Sequence, residues 1–192
     1  MDTAGDGDLV ATGLADRLAE LSFADLEPTA VTDLIIETVA AWGVGNGWRA
    51  YRRPPSVLPL PPPMAHRHSC VDVGLARPVG APVVVEVDRS DRQRTVDKLL
   101  AEAAAGRIAI WVRWGTGRFE APPVPVRLVT CPVTWRRPLG GSGRLYSRVP
   151  ATERPAPAHS ATGTDPAVGA GQQTDLFPGA APDLVEPDHT GP

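Results

Sequence analysis

The run Val83-Val84-Val85-Glu86-Val87-Asp88 constrains the chain more than any other stretch. Its near-continuous β-branched valines are the pattern of a strand buried on both faces, at the centre of a sheet. A second such run, Ile108-Ala109-Ile110-Trp111-Val112-Arg113-Trp114, follows at a distance that leaves room for one helix. Ser90-Asp91-Arg92-Gln93 has the form of a capping box. Behind it, Val96, Leu99, Leu100 and Ala103 recur at helical spacing, and Gly106 closes the segment. A strand, helix and strand joined this tightly predict a right-handed crossover between parallel strands, and so an α/β fold with a mixed or parallel sheet.

The flanking segments extend this unit. Cys70–Gly74 reads as a strand, with a turn over Ala76–Pro82. A helix is expected from Pro28, a favourable first-turn residue, to just before Gly43, with Val31, Leu34, Ile35, Val39 and Trp42 on its apolar face. Trp48–Arg52 alternates as a short strand, and a weaker helix is expected near Leu14–Leu21. The six prolines of Pro54–Pro63 predict an extended loop. Val124–Val149, with a turn at Gly140–Gly143, reads as a hairpin or irregular extension on the sheet.

Charge divides the chain. Residues 1–46 hold nine acids and one arginine, 47–149 seventeen bases and seven acids, and 150–192 one base and six acids. A basic middle is what a protein facing phosphates shows, although arginines spread over every face give the same count. After Val149 the sequence is rich in Pro, Ala, Gly, Thr and Asp, and cannot bury enough surface to offset its ordering entropy. The expected organisation is an acidic N-terminal extension with a weak helix (1–27), an α/β domain (28–149) and a disordered acidic tail (150–192). No stretch has the ~20 apolar residues of a membrane helix, and the acidic N-terminus is unlike a signal peptide, which suggests a cytoplasmic protein. Cys70 and Cys131 lack the spacing of a zinc or redox motif and are expected to be buried free thiols.

Alternation along the valine strand puts Glu86 on the same face as Val84 and Asp88. An ionised glutamate among valines is costly unless it is paired or bound to a cation. Asp72, flanked by Val71 and Val73, could come beside Glu86 if the two strands pair. Oxygen donors of this kind suit magnesium or manganese. His66 and His68 alternate with Cys70 like ligands, but a fourth zinc ligand is missing nearby, so loop histidines are the simpler reading.

An acid in one strand and another near the end of the next resembles the PD-(D/E)XK, or restriction-endonuclease-like, nucleases over roughly Pro28 to Trp114. The resemblance implies a mixed sheet flanked by helices, metal ligation by Asp72, Glu86 and the Val87 carbonyl, and a lysine two residues after the second acid. Here that position is Asp88, a departure shared with Vsr-like relatives. Lys98, the single lysine of the chain, could be a displaced catalytic lysine; it could equally pair with Glu102 on a solvated helix face. Glu37 is a possible further acid, although it lies away from the helix's apolar face.

Gln173-Thr174-Asp175-Leu176-Phe177 resembles the bacterial sliding-clamp-binding pentapeptide, with Leu176 and Phe177 as apolar anchors and Gln173 and Asp175 at the motif's polar positions. Arg136, Arg137, Arg144 and Arg148 are candidate phosphate contacts. Together these features imply a metal-dependent DNA nuclease of replication, repair or mobile-element biology, recruited by the clamp. A catalytically inactive DNA-binding or clamp-associated adaptor and an unrelated α/β interaction domain are the alternatives.

Overall fold

The computed structural model describes residues 3–149. Its elements run α1 (Thr3–Ala19), β1 (Phe23–Leu26), α2 (Pro28–Gly45), β2 (Arg49–Arg52), β3 (Pro55–Pro59), β4 (His68–Cys70), β5 (Val73–Ala76) and β6 (Val83–Asp88). They continue with α3 (Gln93–Ala104), β7 (Ile108–Gly115), β8 (Arg127–Pro132), β9 (Thr134–Arg136) and β10 (Leu145–Arg148). Among the described residues no helix is long and apolar enough to cross a membrane.

The centre is a five-stranded sheet in the order β2-β5-β6-β7-β8. β2, β5 and β6 pair antiparallel, whereas β6, β7 and β8 pair parallel, so the sheet is mixed. The valine strand β6 occupies the middle, as its two-sided burial requires, and all eight residues of β7 are buried beside it. α3 makes the crossover between them.

Alternation sends the two halves of each strand into different cores. Val83, Val85 and Val87 join Ile108, Ile110, Val112 and Trp114 under α1 and α2, while Val84, Ala109 and Trp111 meet Val71, Val96 and Leu99 of the α3 layer. α2 lies close on β5. A Cβ on Gly43 would sit 2.5 Å from Leu75 Cδ2, so glycine suits this close approach; the helix runs through Gly43 to Gly45 instead of ending before it.

Several expectations are corrected. The N-terminal segment belongs to the domain: α1 spans Thr3–Ala19, and its Val10, Ala11, Leu14 and Leu18 are part of the main core. Arg148 fixes its end by donating to the carbonyls of Leu18 and Leu21, at 2.9 and 3.1 Å, and of Pro132 at 2.7 Å. Three backbone carbonyls thus occupy the guanidinium of Arg148, which is buried and is no phosphate contact. The capping box is not formed, since the residue preceding α3 is Arg92 and no side chain caps the helix. The proline-rich stretch is not simply a loop, because β3 pairs with β4 and packs on α3. The strand expected at Cys70–Gly74 is divided between β4 and β5, leaving Asp72 at the junction. Cys131 is buried as expected, whereas Cys70 is exposed. β9 and β10 do form a hairpin, in a separate three-stranded sheet with β1.

Candidate functional site: an acidic cleft with a buried lysine

Register brings the two acids together. Val73 pairs with Val85, so Asp72, one residue before β5, falls opposite Glu86 in the antiparallel ladder. At that point the Asp72 side chain takes over from the backbone, and its Oδ2 accepts the Val87 N–H at 2.8 Å. Glu86 points to the α3 face and is only 5% exposed. From α3, Lys98 places its Nζ 2.8 Å from Glu86 Oε1 and 2.6 Å from the Cys70 carbonyl oxygen.

The site is electrostatically strained towards neutrality. Burial, reinforced by the neighbouring Asp72 charge, pushes the Glu86 carboxyl up to about 7, and the Lys98 bond opposes this without cancelling it. Burial also raises Asp72; the Val87 N–H works the other way, and the nearby Asp88 charge adds to the rise. Two buried carboxylates with raised proton affinity, and a third close by, form a place where a cation is stabilising. Asp88 accepts a hydrogen bond from Trp111 Nε1 at 3.0 Å, which fixes it at the same end of the strand.

These groups line a cleft of about 790 Å3 at the carboxyl end of β6. Such strand ends are where open α/β sheets place their ligands. The first turn of α2 (Pro28, Thr29, Thr32) and that of α3 (Arg94, Thr95) both open on it. Neither helix has a side-chain cap hydrogen bond; Glu27 stands at the N-cap of α2, whereas α3 has no acid at its N-cap or in its first turn, which leaves its positive dipole end for an anion. Arg53, Arg67, Arg89, Arg92 and Arg94 line the same space. Arg53 holds a left-handed backbone, φ 49°, beside the acids, and its N–H binds the Asp72 carbonyl at 2.9 Å. The cleft therefore joins an acidic floor to a cationic rim.

The sequence placed Asp72, Glu86, Val87, Asp88 and Lys98 in the site, and all five line this cleft. The pairing of Lys98 with Glu102 on a solvated face is overturned. Glu102 is fully buried, accepts from Ser56 Oγ at 2.6 Å and Val57 N–H at 2.8 Å, and is paired with Arg107. Glu37 is bound to Arg52 at the surface and takes no part. His68 Nδ1 lies 2.8 Å from the Ser56 carbonyl, so it is occupied with its own hairpin. Arg136 is held by both oxygens of Asp25, which neutralises it as a phosphate contact, and Arg144 stacks on Trp135. Sequence reasoning missed the rim arginines of the cleft. Their signal was Arg89, Arg92 and Arg94 crowding the loop and first turn directly after the Glu86 strand. The pentapeptide at Gln173, Asp175, Leu176 and Phe177 lies outside the described residues.

Two carboxylates fit a hard divalent ion that keeps part of its water shell. Asp72 Oδ1 and Glu86 Oε2 carry no hydrogen bond from the described residues, so each acid retains a donor oxygen. No group of three or more His, Cys, Asp or Glu side chains able to hold a metal occurs among the described residues, and the site is far from the closed cage of structural zinc. In comparisons with known proteins, no family model and no curated protein sequence matches the chain.

Proposed function

We propose that the chain is a Mg2+- or Mn2+-dependent deoxyribonuclease with a restriction-endonuclease-like fold. The observation that supports this most is the Lys98–Glu86 contact. A lysine from the following helix reaches the second acid although Asp88 stands in the usual lysine position. Asp72, Glu86 and the Val87 carbonyl would hold the ion. When bound, it would supply Lewis acidity and lower the pKa of a water.

The chain's own residues account for the rest. Arg53, Arg89 and Arg92, with the N-terminus of α3, bind and orient a phosphodiester in the cleft. The Lys98 ammonium stabilises negative charge that develops beside Glu86 during attack. Asp88, held by Trp111, would accept a proton from the attacking water.

The test is cleavage of a panel of labelled DNA structures with Mg2+ or Mn2+, beside Glu86→Ala. Loss of metal-dependent cleavage in Glu86→Ala, which removes a residue that would hold the ion, supports the nuclease. Inactivity of the parent chain across the panel with either metal transfers the reading to a DNA-binding adaptor.

For the tail we propose that Gln173-Thr174-Asp175-Leu176-Phe177 docks on the bacterial sliding clamp, a reading supported by its sequence pattern alone. A tail peptide that binds purified clamp, and fails to bind with Leu176→Ala/Phe177→Ala, is the expected result.

A further inference from the structure

Beyond the cleft, β7 runs into Gly115-Thr116-Gly117-Arg118, and a second pocket of about 400 Å3 opens between this loop and β10. It shares Arg89 and Ser90 with the cleft, so the two are continuous along one edge. We propose that this pocket binds a second backbone phosphate of the DNA strand whose scissile phosphate lies at Glu86. The proposal rests on reading the cleft as a phosphodiester site.

Four arginines line the pocket: Arg89, Arg113, Arg118 and Arg144. Asp91 is the single acid among its lining residues, and it is paired with Arg113. Arg118 has no ion pair among the described residues. Arg144 is held against the Trp135 ring, 4.3 Å from its centroid, and Arg89 binds the neutral Tyr146 hydroxyl at 2.9 Å, so neither positive charge is compensated.

Arg113 forms a buried part of the pocket wall, with its charge paired to Asp91. It is 3% exposed, sandwiched by the Trp111 ring at 4.5 Å and the Phe119 ring at 5.6 Å. Its Nε is the single buried side-chain N or O atom among the described residues without a hydrogen-bond partner. A buried guanidinium short of a partner is costly unless something supplies one. Two aromatic rings and the Asp91 pair hold the Arg113 fork in place, so the forked N–H donors offered to phosphate oxygens are those of Arg118 and Arg144. Gly115, with φ of 151°, leaves the loop backbone bare of a side chain where it lines the pocket.

The test is fluorescence anisotropy of the full chain with a labelled DNA oligonucleotide in EDTA, across a salt series. The pocket variant is Arg118→Ala/Arg144→Ala, and the charge-matched control is Arg17→Ala/Arg49→Ala, on exposed positions away from both pockets. The pocket variant should lose about ten-fold in affinity or more. Its slope of log K against log salt should fall by roughly 0.7–0.9, as expected for one lost phosphate contact. A change no larger than the control's overturns the proposal. Inorganic phosphate that protects the parent but not the variant from thermal unfolding, with DNA affinity unchanged, reassigns the pocket to free phosphate and also overturns it. A larger loss on RNA than on DNA of the same sequence overturns the assignment to DNA. Because EDTA prevents hydrolysis, failure of the nuclease reading shows in the cleavage assay, and failure of this proposal shows here.

Discussion

Lys98 Nζ lies 2.8 Å from Glu86 Oε1, an ion pair between a crossover helix and the central strand in which both side chains are almost fully buried. Removing the lysine leaves a buried acid, and a trapped charge of that kind typically costs ~3–5 kcal/mol. Glu86 can escape most of this by taking a proton, since its carboxyl is already pushed up to about 7. Lys98→Met is therefore expected to melt close to the parent at pH 6 and well below it at pH 8, with cleavage lost at both. Thermal unfolding at the two pH values checks this, and equal destabilisation at both would contradict it.

The parent domain itself should lose stability with rising pH when metal is absent. Glu86 binds its proton more tightly folded than unfolded. Its stabilising contribution is thus fully present below the ordinary carboxylate range and is lost as pH rises through about 7. The raised Asp72 acts in the same direction. The Glu86 contribution is on the order of 3 kcal/mol between pH 4.5 and 8. Urea denaturation in EDTA should show the decline, and Glu86→Gln should flatten it.

Asp72→Asn separates structure from ligand binding. The asparagine carbonyl can still accept the Val87 N–H that Asp72 Oδ2 accepts now, at 2.8 Å. Stability in EDTA should change by no more than about 1 kcal/mol, the usual worth of one hydrogen bond. The rise in melting temperature on adding Mg2+ at pH 8 should disappear, and cleavage with it. A variant that still shifts with Mg2+ would remove Asp72 from the site.

Glu102 ties the β3–β4 hairpin to α3 through Ser56 Oγ and the Val57 N–H. Glu102→Ala strands both donors and frees Arg107, a loss of about 2–4 kcal/mol. The hairpin should loosen first. Limited proteolysis is expected to cut between residues 60 and 67 in the variant well before it cuts the parent.

Much of the architecture was readable because burial on two faces leaves a plain mark. The valines of β6 and the IAIWVRW run of β7 fixed the parallel pair, and the apolar stripe of α3 fixed the crossover. Asp72 and Glu86 were legible as polar residues in apolar strands. Lys98 was harder, because a helical wheel assumes one buried face. α3 has a second, covered by the β3–β4 hairpin, which a string of six prolines disguised as loop. Glu102 was misread for the same reason. α1 was under-read because Gly5, Gly7 and Gly13 dilute its periodicity, while its burial depends on β7 and β8, which come far later in the chain. The pocket at Arg113 was illegible, since Arg113, Phe119 and Arg144 meet only through tertiary structure.

Arg148 holds the end of α1 from the far end of the domain, bonding to the carbonyls of Leu18 and Leu21. A nascent chain leaving the ribosome therefore carries its first helix for nearly the whole length of the domain before the residue that secures it is made. Closure of such distant contacts is slow, and until then Val10, Leu14 and Leu18 have no complete core to enter. The helix made first is thus secured by a residue made last.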